Sequence, residues 1–169
     1  CTERHPEPIK LKLEKVYQPS LLVTKKRYAG YMYETPSATS AVLDMKGIQT
    51  VRRDGFPALV KIMKRVLHII FQSFDMSRVR KYVQRQCMKI LNGSVSTQDL
   101  LFRKEIRMIN SYRMRPPHAV VASKLALRDP MAMPLYGQRV PYVIVFGGSK
   151  NARILDLAMP PEDVLEYND

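Results

Sequence analysis

Residues 9–17 alternate with a period of two. Ile9, Leu11 and Leu13 fall on one face and Lys10, Lys12 and Glu14 on the other, the mark of a half-buried strand. Pro19 and Ser20 interrupt the pattern. Leu21, Leu22 and Val23 then lead into a second strand that Tyr28, Tyr31 and Tyr33 continue, and the two are placed to pair as a hairpin. Alternation through residues 25–28 puts Lys26 and Tyr28 on one face and Lys25 and Arg27 on the other. Residues 35–40 are a polar loop, and 41–45 a third strand ended by Gly47.

Beyond a loop at 49–54 the period lengthens. Leu59, Ile62, Met63, Val66, Ile69, Ile70 and Phe74 recur at helical spacing, with Lys61, Lys64, Arg65 and His68 mainly opposite. Pro57 stands at the favoured first position of that helix. Asp75 or Ser77 caps a second helix, striped by Val79, Val83, Cys87, Ile90 and Leu91 and stopped by Asn92-Gly93. The short turn between them predicts an antiparallel helical pair with basic outer faces. Ser96 caps a single turn through Asp99, and Leu101-Phe102 leads into a charged segment. Pro116-Pro117 starts a third helix, roughly 119–127, ended by Asp129-Pro130. Pro141 begins a strand over 142–146 that Gly147-Gly148-Ser149 turns back. Pro160-Pro161-Glu162 opens a last helix with acids in its first turn. The fold class is α+β: antiparallel strands, then mainly helices with a small β element.

Charge adds a direction to this picture. Of the net +13, residues 46–115 hold sixteen cations against four anions, whereas 116–169 hold five against six. An excess gathered in the middle fits a surface that meets a polyanion. A basic membrane-binding surface would also want exposed apolar anchors, and the longest apolar run, around Ile69-Ile70-Phe71, is too short to span a bilayer. Cys1 and Cys87 form no C-x-x-C pair, so no zinc site or disulfide framework is expected, and reduced thiols fit an intracellular protein. A start at Cys1 rather than Met, in the middle of strand-like sequence, fits a piece of a longer chain.

The candidate chemistry lies in two basic clusters. Lys25, Lys26, Arg27 and Tyr28 set three cations beside a phenol, and Lys46, Gly47, Thr50, Arg52 and Arg53 follow. Taken alone, a run like the first is more often a solvated basic turn, and the second reads equally as a helix-entry turn with solvated arginines. Guanidinium forks, however, bind phosphate oxygens bidentately and stay charged. Catalytic chemistry is missing. The aspartates are singletons without a D-x-D pair, and His5, His68 and His118 have no nucleophile at recognisable spacing.

Residues 25–34, KKRYAGYMYE, resemble the Lys-Lys-Arg-Tyr element of B-family DNA polymerases, at the end of the palm that holds the primer-template duplex. KGIQTVRRD at 46–54 is similar to the segment that follows it in eukaryotic replicative and translesion members. Arg128-Asp129-Pro130 and GQRVPYVI at 137–144 resemble the thumb. GYMYET at 30–35 and YVQRQCMKIL at 82–91 look most like the translesion, zeta-type branch, with the delta type as nearest rival.

The resemblance implies that residues 1–54 end the palm and 55–169 form the thumb of a nuclear DNA-directed DNA polymerase. It implies DNA contacts from Lys25, Lys26, Arg27, Tyr28, Lys46, Gly47, Thr50, Arg52 and Arg53, with no catalytic residue and no metal ligand in this piece. Mg2+ would be held by carboxylates outside the chain, and an iron-sulfur cluster would lie further downstream. Primer-template DNA, dNTPs and accessory polymerase subunits are the implied partners. The residues alone also allow a stand-alone basic nucleic-acid-binding module, or a scaffold whose basic surface meets an acidic partner.

Overall fold

In the computed structural model, residues 12–35, 37–147 and 151–167 are described. Three strands come first: β1 (Val16–Thr24), β2 (Arg27–Tyr33) and β3 (Val42–Lys46) form an antiparallel sheet in the order β1-β2-β3. The hairpin is therefore displaced from its sequence-predicted position. Ile9 and Leu11 lie outside the described residues, 12–15 are not strand, and β1 runs through Pro19 instead of stopping there. The register shifts between Tyr17 and Ser20. A proline donates no hydrogen bond, and an irregular edge strand is where a sheet tolerates that loss.

Helices α1 (Pro57–Ser73) and α2 (Met76–Leu91) follow and pack on one another. Pro57 is the first residue of α1, as expected. Asp75 rather than Ser77 caps α2, its carboxylate accepting from the Ser77 N–H at 2.8 Å. Leu67 and Phe71 of α1 share a core with Ala29 of β2, flanked by Leu21, Leu43 and Met45. Burying two such side chains contributes about 1.5–3 kcal/mol each, enough to dock α1 on the sheet. The Tyr31 hydroxyl, 2.8 Å from His68 Nδ1, adds a polar tie between β2 and α1.

A second sheet has the order β4-β5-β6, with β4 (Phe102–Glu105), β5 (Arg139–Ile144) and β6 (Ala158–Met159) all antiparallel. Helix α3 (Pro117–Arg128) covers it, and Ile106, Val121, Ala122, Val140, Tyr142 and Ala158 form its core. Helix α4 (Pro161–Tyr167) closes the described chain. Strand β4 has no counterpart in the sequence pattern, and β5 lies three residues earlier than expected, which leaves Phe146 exposed beyond its end. Of the expected Gly147-Gly148-Ser149 turn, residues 148 and 149 lie outside the described residues, while β6 does return antiparallel to β5. The turn at Thr97–Leu100 forms without a side-chain cap from Ser96.

Candidate nucleic-acid interface

Thr24 pairs with Arg27, so Lys25 and Lys26 are the two-residue turn of the β1–β2 hairpin. This overturns their assignment to opposite faces of a strand. Lys26 has φ +64, the left-handed region, where strand alternation does not apply. A non-glycine residue there costs about 1–2 kcal/mol and persists only when its surroundings fix it. One such surrounding is Gly47, also at φ +64. A Cβ on Gly47 would collide with the Lys26 carbonyl oxygen. The absent side chain lets the turn rest on the end of β3, and Tyr28 pairs directly with Lys46. Lys25, Lys26, Arg27, Tyr28, Lys46 and Gly47 are thus brought together.

The electrostatics of this corner are lopsided. Lys25, Lys26 and Arg27 are exposed and form no ion pair among the described residues. The nearby carboxylate, Asp44, is engaged: the Tyr17 hydroxyl donates to its Oδ2 at 2.5 Å, with Lys15 and Lys46 at 3.8 and 3.7 Å. The Tyr17 hydrogen bond holds the Asp44 carboxyl below the usual range, and the same bond pushes the Tyr17 phenol well above its own. Tyr17 meets Tyr28 edge to face at 5.7 Å, which fixes the half-buried Tyr28 ring beside the turn.

The remaining predicted residues lie on the loop after β3. Thr50 points inward: it is 8% exposed, and its hydroxyl donates to Met45 Sδ at 3.2 Å. Arg52 grips Asp54 with both prongs, at 2.8 and 2.7 Å, and Lys104 stands 3.7 Å from the same carboxylate. The Arg52 fork holds the Asp54 carboxyl well below the usual range. Arg139 of β5 donates to the Arg53 carbonyl at 3.0 Å and to the Arg103 carbonyl at 3.2 Å, stapling the loop to the second sheet.

A cleft of about 450 Å³ results, with Arg52, Arg53, Lys104, Arg107 and Arg139 supplying five cations against Asp54 and Glu105. The sequence displays the charge near Arg103 and Lys104 but does not bring Lys104, Arg107 and Arg139 to Arg52, because its pattern does not place β4. One wall is braced from inside. The Tyr112 hydroxyl accepts from the Arg107 N–H at 2.8 Å, and its own proton is free to reach His118 Nε2 at 3.2 Å. Burial pushes the His118 pKa down, and among the described residues its Nδ1 has no partner. The arrangement can bind phosphate through forks and ammonium groups. Among the described residues no group of three His, Cys, Asp or Glu could hold a metal ion.

Comparison with known proteins identifies the setting. The family described as DNA polymerase family B matches residues 1–169. The chain is 46% identical over 166 residues to the DNA polymerase zeta catalytic subunit of Drosophila melanogaster, covering 97% of this chain and 8% of that protein. It is 46% identical over 167 residues to the Homo sapiens zeta subunit, covering 98% and 5%. The delta catalytic subunit of Drosophila melanogaster is 38% identical over 159 residues, covering 94% and 14%. A family B DNA polymerase from Pyrobaculum calidifontis shares the fold with a TM-score of 0.62 and 26% identity over 94% of this chain and 19% of that one. The chain spans only 5 to 14% of the length of these catalytic subunits. It belongs to DNA polymerase family B.

Proposed function

We propose that this chain is the duplex-gripping part of a DNA-directed DNA polymerase of the translesion, zeta type, with residues 1–54 ending the palm and 55–169 forming the thumb. The identities of 46% to zeta subunits against 38% to a delta subunit favour that branch over the replicative one. One observation carries the grip. A hairpin turn of exposed cations is seated on Gly47, while the carboxylate beside it, Asp44, is tied up by Tyr17. Lys25, Lys26 and Arg27 meet the primer-template backbone, Tyr28 packs on the sugar edge, and Lys46 faces the same strand. Arg52 and Arg53, with Lys104, Arg107 and Arg139, extend the phosphate track. Thr50 acts from beneath, by holding the loop against Met45. Contacts to phosphates are blind to sequence, as an enzyme moving over any template requires.

Among the described residues the carboxylates form no group that fits the divalent metal of nucleotidyl transfer. Asp44, Asp54, Asp99, Asp156 and Asp163 are each bound to a tyrosine or a cation. The ligands for Mg2+, and those for a downstream iron-sulfur cluster, belong to other parts of the polymerase, as do the sites for dNTPs and accessory subunits. The nucleus is the compartment for this activity, and no described helix is long and apolar enough to cross a membrane.

Lys26→Gly in the complete polymerase polypeptide tests the reading. Glycine suits φ +64 better than lysine, so the hairpin survives or tightens while the cation is removed. A charge-assisted hydrogen bond is worth about 1.5–3 kcal/mol, so primer-template affinity should fall about ten- to hundredfold. Unchanged affinity with a folded hairpin would overturn it.

A further inference from the structure

We propose that the cleft between α1 and α2 is a second phosphate-binding site, which holds the backbone of single-stranded nucleic acid; the inference rests on the polymerase reading above. The cleft encloses about 500 Å³ and its lining shares no residue with the Arg52–Arg139 cleft. Arg65 comes from α1, and Arg78, Lys81 and Arg85 from α2, with Gln72 and Tyr82 as neutral donors.

Three features separate this cleft from an ordinary solvated helix face. Among the described residues no carboxylate lines it, whereas the first cleft sets Asp54 and Glu105 among its cations. Among the same residues none of its four cations forms an ion pair, and Asp75, the acid nearest in sequence, is occupied in capping α2. Arg78, Lys81 and Arg85 also stand three and four residues apart, a spacing at which like charges repel and disfavour the helix. That arrangement is sensible if an anion bridges them.

The dimensions suit one strand. From Arg78 to Arg85 the helix rises about 10 Å at about 1.5 Å per residue. That length is enough for a row of cations to meet successive phosphates of one strand. A volume of this order takes a drug-sized group, enough for a few sugars and phosphates of one backbone. Half-buried Tyr82 adds an aromatic ring beside the cations, the combination that single-strand grooves use. Arginine forks match phosphate oxygens in pairs.

The test compares the complete polymerase polypeptide with its Arg78→Gln/Lys81→Gln/Arg85→Gln variant, on primer-template with a long single-stranded overhang and on blunt duplex. Affinity is followed across salt concentration, with Lys25→Gly/Lys26→Gly in parallel. On the overhang substrate the cleft variant should show a log–log salt slope shallower by about 0.7 for each phosphate it no longer neutralises, or about 2 for three. Arg78→Lys/Arg85→Lys, which keeps the charge, should retain the wild-type slope. Single substitutions, each taking about a third of the effect, serve if the triple variant does not fold. A slope change confined to the hairpin variant overturns the cleft site and leaves the polymerase reading standing. No change in either variant overturns both. An equal change on blunt duplex refutes the single-strand assignment. Loss of binding to polyglutamate without loss on DNA would instead identify an acidic protein as the occupant and overturn the proposal.

Discussion

Gly47→Ala probes how the hairpin turn is held. The new methyl would collide with the Lys26 carbonyl oxygen and stand 3.2 Å from its carbonyl carbon and 3.3 Å from Arg27 Cγ. The collision is with backbone, so no rotamer relieves it. Either β2 and β3 part at the Tyr28–Lys46 pair or the turn shifts, at the usual overpacking cost of about 1–3 kcal/mol. The left-handed φ of +64 adds about 1–2 kcal/mol for a residue with a Cβ. A stiffer unfolded chain returns about 0.4–1 kcal/mol. The net expectation is a loss of about 2–4 kcal/mol.

Gly93→Ala is the control. Its φ is +67 but among the described residues nothing lies within 4 Å of the added Cβ, so only the backbone cost applies. Urea denaturation of both variants, followed by far-UV circular dichroism, should put Gly47→Ala lower by about 1–3 kcal/mol, or several degrees in Tm at about 2–4 °C per kcal/mol. Equal losses would mean that the turn does not rest on Gly47, and the gathering of the two basic clusters would lose its structural basis.

Two further substitutions test the polar ties. Tyr17→Phe removes the hydrogen bond that chiefly lowers the Asp44 pKa, so NMR titration should find that carboxyl closer to 3.8. Asp44's depressed pKa gives stability that is present above about 3.8 and lost as pH falls through the folded value, so the variant should be less stable at neutral pH, by about 1 kcal/mol, and less acid-sensitive. His118 works in the other direction from neutrality. Its folded pKa lies below 6.5, so the unfolded chain takes up a proton first and stability falls as pH drops below about 6.5. His118→Gln should flatten that limb of a stability-against-pH curve, and an unchanged limb would show that His118 does not titrate on unfolding.

Helix boundaries are legible in the sequence because local chemistry decides them. Pro57 opens α1, Asp75 caps α2 and Gly93, at φ +67, ends it. The α3 and α4 starts at prolines follow the same rule. The hairpin is displaced from its predicted place because Pro19 reads as a strand breaker, whereas an edge strand with a register shift accommodates it. Lys25 and Lys26 carry none of the glycine or asparagine that marks a two-residue turn, and Gly47, which seats that turn, is twenty-one residues from Lys26. Strand β4 is four residues long with three charges, so its identity comes from pairing with β5 and not from its own pattern. The Arg52–Arg139 cleft is hidden in the sequence for that reason, although the arginines of the loop itself are visible.

The measurement closest to the central proposal is the salt dependence of primer-template affinity for the complete polymerase polypeptide. It should be compared with a variant in which Lys25, Lys26 and Arg27 are replaced by glycine, glycine and glutamine. If the hairpin turn neutralises phosphates, the plot of log affinity against log salt should become shallower by about 0.9 for each duplex phosphate left without its cation. The two lines should then converge at high salt. Parallel lines would mean that the turn touches no phosphate and would contradict the proposed grip.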